Sequence, residues 1–521
     1  MCILFASGES NIVSSALIAK KLSTKLKSDV SVLITQPFES LTNHPALQEI
    51  KRNKFNYVDF VGFYGKCNYK SVLENFGKNN KLKKLMEDFD EDDLLIITEI
   101  INSDPVIIDD LNGRFFNQNM KHQDVINYIS LLVKFYNDVI TEFQIEKILD
   151  LYVDNISKYI LYLVSKKRKL KHLSLVHTRF KDYLILSETC GFFLGKELKK
   201  YKRLQTKSNL EKAKKALYKF KKQSDLRNKD EIKYLQQKSS FNLIQKIISL
   251  IGSIRFTLKL KKESSIKLKG LGNLSKGFKD CLDGGGSFNV IIYRLITFYR
   301  LLISEFRSQK IKTRNYPKKY FYYPFSYTSE GDSQFTSGSF LGDMTVLPFL
   351  RKFLPLDSFL IFKEHPAMTE ERTFSEIEKI KKVPKSLYIP SNYKNGIINN
   401  PRYLLKNSIG NITVSGTSGL ESILLEKPSL VLGEPYYREF FEMESYIKIG
   451  PILIKEFMMH PNLFKIKSEK SIEFISIITS QGVSLPYNSL LTMTLEKYKN
   501  NSISKNNINK IVSLFFKKLK K

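Results

Sequence analysis

Cysteine is scarce in this sequence. Its four residues, Cys2, Cys67, Cys190 and Cys281, lie far apart in 521 positions and form no paired metal-ligand spacing. That excludes a disulfide framework and points to a reducing compartment. No run approaches the ~18 uncharged apolar residues of a membrane-spanning helix. Met1 to Ala6 is too short an apolar run for a signal peptide, so a cytoplasmic protein is expected. There is no GxGxxG fingerprint: Gly8 stands alone after the first apolar run, and nothing demands a dinucleotide. No His, Cys, Asp and Glu cluster has metal-ligand spacing, so no metal is expected. Acid is also short, with 52 Asp and Glu against 84 Lys and Arg, a net charge of +32. Such a field calls for an anionic partner or reflects a lysine-rich composition.

The length suits two or three domains, and the 42% hydrophobic fraction suits globular ones. Over 1–190, short apolar runs alternate with helical stretches. Strands are expected at 2–6, 30–35, 57–65 and 93–101, in a parallel Rossmann-type sheet. The rhythm breaks over 191–315. Leu210, Ala213, Leu217 and Phe220 recur at helical spacing in a strongly basic stretch. Residues 241–256 and 287–303 carry further apolar faces edged by Lys and Arg. These faces either pack on one another and the core or lie on a membrane surface. The glycines of 284–286 read as a flexible turn, because no Lys-Ser/Thr follows them. Over 316–470 the alternation resumes, with strands expected at 320–324, 359–363, 386–390, 411–415 and 429–433. Residues 471–521 read as helices with a basic end. The fold class is therefore α/β and GT-B-like: two Rossmann-type doubly wound domains with a basic helical insertion between them, and a ligand at the carboxyl ends of the strands.

Three stretches of the second half carry chemistry. In 411–437, a strand ends at Ser415, and Gly416, Thr417, Ser418 and Gly419 lead into a helix. Small residues and free N–H groups at a helix start make an anion site, and a nucleotide phosphate is the natural occupant. Ser418 and Glu421 also have the spacing of a capping box, which needs no ligand. In 359–368, a hydrophobic strand runs into Lys363, Glu364, His365 and Pro366. Pro366 stops the strand. His365 is placed to donate to a phosphate oxygen, and Lys363 to add positive charge beside it. A buried, hydrogen-bonded histidine at a strand end is the structural alternative. In 324–343, Glu330, Asp332 and Asp343 lie among Gly, Ser and Thr. Glu330 is the preferred candidate general base, and a mundane turn-rich connection is the alternative.

Together the acidic loop, Lys363-Glu364-His365-Pro366, and Ser415-Gly416-Thr417-x-Gly419-x-Glu421 followed by Lys427-Pro428 and Gly433-x-x-x-Tyr437 resemble the capsule polysaccharide biosynthesis family related to the Kdo transferases. The likeness spans roughly 320–440. Ser422 and Glu426 stand where that family would place Ala and Gly. The resemblance implies a GT-B glycosyltransferase needing no metal. It implies that His365, Lys363, Glu364, Pro366, Ser415, Gly416, Thr417, Gly419 and Glu421 bind a CMP-activated, Kdo-like sugar donor, and Ser418 joins them from the loop's own chemistry. The acceptor would be lipid-linked or a growing glycan, and the basic middle segment would hold the enzyme at the inner face of an anionic membrane where a lipid acceptor resides. Arg179, in "LVHTRF" (175–180), is a further candidate at the cleft. A nucleotide-sugar epimerase also has two Rossmann halves and a similar loop, and a non-catalytic membrane-binding module is the third reading. Nucleic acid is not expected, because no reading motif accompanies the charge.

Overall fold

The computed structural model describes residues 2–60 except 9–10 and 36–43, residues 122–223 except 154, 190 and 192–193, and most of 317–520. In the last span the exceptions are 327–342, 366–371, 373, 391–399, 487–489 and 491–492. Between these blocks it describes scattered residues: 62–64, 89, 91 and 94, and a further set from 244 to 302.

Two sheets organise the chain. The first contains β1 (Cys2–Ser7), β2 (Asp29–Ile34), β3 (Tyr57–Val58), β4 (Ile145–Asp150), β5 (Lys171–His177) and β6 (Tyr183–Ser187). The second contains β7 (Tyr320–Pro324), β8 (Phe359–Lys363), β9 (Ser386–Ile389), β10 (Gly410–Thr413) and β11 (Ser429–Val431). A last strand, β12 (Val483–Ser484), returns to the first sheet. The orders are β12-β6-β5-β4-β1-β2-β3 and β11-β10-β7-β8-β9. Every pairing is parallel except those of β6 with β5 and with β12. This is the α/β, GT-B-like architecture expected from the sequence. Strands such as β1 and β8 are buried apolar runs rather than alternating ones, because helices cover both faces of a parallel sheet.

The expected strand at 57–65 is only two residues long. The Asp59 carboxylate accepts the Gly62 N–H at 2.5 Å, and the Phe63 N–H bonds the Asp59 carbonyl, so the chain turns into helix there. Of the expected strand at 93–101 only Leu94 is described, and it is helical.

The first sheet's core includes the carboxyl-terminal segment. The helix Ile12–Leu26 packs on Ser502–Leu519, burying Ile508, Ile511, Val512 and Phe515. The helix Lys207–Lys222, read from the sequence as the start of an appended insertion, is instead part of the joint between the two sheets. Thr206 caps it by accepting the Asn209 N–H. Its predicted stripe, Ala213, Leu217 and Phe220, is buried against Ser468–Gln481. Burying Leu217 and Phe220 contributes about 1.5–3 kcal/mol each, enough to fix the helix in place despite its lysines. The same core holds Val176 and Phe180 from the first sheet's side and Leu420, Tyr436 and Phe474 from the second's.

Beneath the first sheet lies a buried polar group. Asp150 and Lys158, both fully buried, pair at 3.2 Å. Ser165 donates to the Tyr162 carbonyl at 2.7 Å and lies 3.0 Å from His172 Nδ1, so Nδ1 carries the proton and donates back to Ser165. Burial, with the Lys158 charge second, pushes the His172 pKa down to about 3. The folded protein therefore keeps His172 neutral where the unfolded chain takes up a proton. This contribution is complete above about pH 6.5 and lost as pH falls toward 3, at about 1.4 kcal/mol per pH unit. Urea unfolding between pH 6.5 and 4 should show that slope, and His172→Asn should flatten it. Parallel slopes would refute the assignment.

Candidate active site

The second sheet's register sets the site. Tyr322 of β7 lies level with Ile361 of β8 and with Asn411 of β10, and Pro324 lies level with Lys363. Two residues past the ends of β8 and β10, His365 and Ser415 follow the carboxyl edge of the sheet. They are two strand spacings apart, about 10 Å, with β7 between them. In an open parallel sheet this edge is where ligands bind.

The loop after β10 is tightly held. The Gly416 N–H donates to Thr413 Oγ1 at 3.1 Å, and the Gly416 carbonyl accepts the Tyr437 hydroxyl at 2.7 Å. A Cβ on Gly419 would come 2.4 Å from the Tyr437 oxygen, so only glycine admits this packing. The helix Thr417–Leu424 follows, with Gly416 as its N-cap and no side chain capping it. The capping box read from Ser418 and Glu421 is therefore absent: the Thr413 bond starts the helix two residues earlier, and Ser418 sits inside its first turn. The amides of Thr417 and Ser418 open the helix, where no carbonyl precedes them in helical register. The hydroxyls of Ser415 and Ser418 are buried, and neither has a hydrogen-bond partner. Leaving a buried hydroxyl unsatisfied costs about 1–3 kcal/mol, which an anionic oxygen accepting from it would recover.

Arg179 reaches this loop from the other half. It follows β5 in the left-handed region, at φ 55°, and its guanidinium donates to the Ser415 carbonyl. Beside it, the Tyr436 hydroxyl donates to the Thr178 carbonyl. The loop, the helix start and an arginine from the first sheet thus meet.

The Lys-Glu-His stretch divides. Lys363 is buried, and its amine donates to the Pro390 carbonyl at 3.1 Å, at the end of β9 and on the side of β8 away from β10. Glu364 is also buried. It pairs with Arg372, accepts the Tyr388 hydroxyl at 3.0 Å, and accepts the His365 N–H at 3.0 Å. Burial first, then the Glu364 charge, pushes the Tyr388 hydroxyl well above its ordinary range, which keeps it a donor. The Arg372 guanidinium lies 4.5 Å over the Phe325 ring. The structure therefore brings His365, Ser415, Thr417, Ser418 and Arg179 to one edge. It sets Lys363 and Glu364 to holding the strand end behind them. Gly416 and Gly419 shape the loop. Glu421 lies further along the helix. Glu330 and Pro366 lie outside the described residues.

Arg372, Tyr388 and Thr413 escaped the sequence reading. Only Thr413, two residues before Ser415, lay in a stretch singled out for its chemistry. Gly433-Glu434-Pro435, conspicuous in the sequence, has a structural role. The Gly433 N–H bonds the Val414 carbonyl at 2.8 Å, and Glu434 pairs with Arg438 and accepts Ser445 Oγ at 3.0 Å. Among the described residues no three His, Cys, Asp or Glu side chains cluster as a metal site.

Two α/β sheets, one parallel and one largely so, with an anion-competent helix start on one and an arginine reaching it from the other, define a GT-B-like protein. Residues 279–440 match the family described as "Capsule polysaccharide biosynthesis protein", and the resemblance drawn from the motifs holds over that segment. The chain matches no curated protein. Among solved structures it is similar to the beta Kdo 2,7 transferase KpsC of Thermosulfurimonas dismutans, at 9% identity and TM-score 0.30, covering 65% of this chain and 78% of that one. It is similar to the UDP-GlcNAc 2-epimerase of Methanocaldococcus jannaschii, at 11% identity and TM-score 0.25, covering 92% and 99%. It is also similar to S. aureus MnaA, at 10% identity and TM-score 0.26, covering 96% and 97%.

Proposed function

We propose that this protein is a glycosyltransferase of capsule or surface polysaccharide synthesis that uses a CMP-activated, Kdo-like sugar donor. The observation that carries the reading is the pair of unpartnered buried hydroxyls, Ser415 and Ser418, at a helix start with no side-chain cap. In this reading the donor phosphate lies against Ser415, Thr417 and Ser418, with His365 donating to it from across β7. Arg179 fixes the loop through the Ser415 carbonyl and adds positive charge at the edge. An acceptor hydroxyl on a glycan or glycolipid attacks the anomeric carbon. The bond from that carbon to the phosphate oxygen breaks, and the nucleotide leaves with the electron pair. The hydroxyl proton passes to a carboxylate, assigned to Glu330. Helix-start amides and His365 stabilise the departing charge, so the scheme needs no metal.

Calorimetry with CMP, CDP, UMP, UDP and GDP tests this. CMP should bind best, and His365→Ala should weaken it about tenfold, as loss of one hydrogen bond to a charged oxygen does. UDP binding without CMP binding would refute the donor and favour a nucleotide-sugar epimerase. No nucleotide binding would refute both.

A further inference from the structure

Two apolar stripes remain unexplained by the site. Ile244, Ile247, Ile248 and Ile251 are all exposed, Ile244 by 70% and Ile248 by 63%, and all are helical. Their spacing of three, four and seven places them on one helix face. Ile292 and Leu295 repeat the pattern, also helical and exposed. Among the described residues these faces are not packed on the core. Soluble chains rarely leave aliphatic stripes of this kind in water, so something covers them.

Charge identifies the occupant. Residues 241–303 hold eleven Lys and Arg against three Asp and Glu. Exposed Arg255 follows Ile251 by one turn. A second copy of this chain would bring like charge against like charge. Nucleic acid would meet aliphatic side chains that neither stack on bases nor hydrogen-bond to their edges. No helix among the described residues is long and apolar enough to cross a membrane. An apolar face edged by cations suits the boundary of an anionic lipid surface, where isoleucines enter the acyl region and lysines and arginines meet the headgroups.

We propose that these two stripes seat the protein on an anionic lipid surface. The proposal is independent of the donor assigned above.

The test is co-sedimentation of the full chain with vesicles of phosphatidylcholine, with and without phosphatidylglycerol, beside the variant Ile247→Gln/Ile248→Gln/Ile251→Gln. The chain should sediment with the anionic vesicles and release on raising salt, as headgroup attraction is screened. The variant should bind about tenfold more weakly or worse, with an unchanged melting temperature, because these side chains contact no core. Equal binding by variant and parent would overturn the proposal, as would no binding to anionic vesicles. A melting temperature lowered by the variant would show that the stripe packs internally. Light scattering that shows a dimer which the variant dissociates would assign the stripes to a second copy.

Discussion

Glu364→Ala should lower folding stability by about 3–5 kcal/mol, because it strands a buried guanidinium. Glu364 is 2% exposed and Arg372 is 3%. The Phe325 ring beneath Arg372 and the Glu376 carboxylate 3.9 Å away recover only part of the charge's solvation. Tyr388 loses its acceptor in the same step. Thermal unfolding should fall by roughly 10 °C, if the domain carrying β7–β11 melts as one unit. Glu364→Gln should rescue little, since an amide leaves the guanidinium only the more distant Glu376 carboxylate, at 3.9 Å. The double change Glu364→Met/Arg372→Met should lose less than Glu364→Ala alone, because replacing both partners removes the buried charge altogether. Additive losses would show that the two do not act as a pair. High salt should leave the effect nearly unchanged, since a buried pair is poorly screened. Glu364 also accepts the His365 N–H, so the same substitution loosens the backbone of the residue assigned to the donor phosphate.

The second sheet was legible in the sequence and the first much less so. β7, β8, β9, β10 and β11 fall within two residues of their expected bounds, because each is an apolar run closed by Gly, Pro or a polar turn. β3 was over-read: Phe60, Phe63 and Tyr64 continue the apolar run, but Asp59 caps a helix within it. β12 is two residues long and owes its existence to β6, a pairing across some three hundred positions that no local pattern announces. At the site, residue types were readable but directions were not. Strand period alone placed Lys363 with His365. The structure turns the lysine to Pro390, because a long flexible side chain follows the nearest acceptor rather than the pleat. The cap at Gly416 was hidden for a similar reason: Thr413 Oγ1 fixes the turn, and a Ser-x-x-Glu spacing cannot reveal that competition.

Asp150→Ala should cost about 3–5 kcal/mol, again by leaving one buried charge alone. Lys158 has no exposed surface. Besides Asp150 at 3.2 Å, its amine reaches the Tyr152 carbonyl at 2.6 Å, and that carbonyl cannot neutralise it. Asp150 Oδ1 also accepts the Tyr152 N–H at 2.9 Å, so the turn after β4 loosens with it. Asp150→Asn should be intermediate, because it keeps that acceptor while losing the charge. Lys158→Met in the Asp150→Ala background should recover much of the stability. The pair couples to the histidine beneath it, since the Lys158 charge is the second cause of the low His172 pKa and burial the first. Lys158→Met alone should therefore raise the His172 pKa only part of the way to its unfolded value. In urea titrations the acid loss of stability would persist, but it would end at a higher pH than in the parent protein. A slope vanishing altogether would make charge, not burial, the dominant cause. An unchanged end-point would show that Lys158 does not act on His172, and that the Asp150 substitution destabilises through the turn alone.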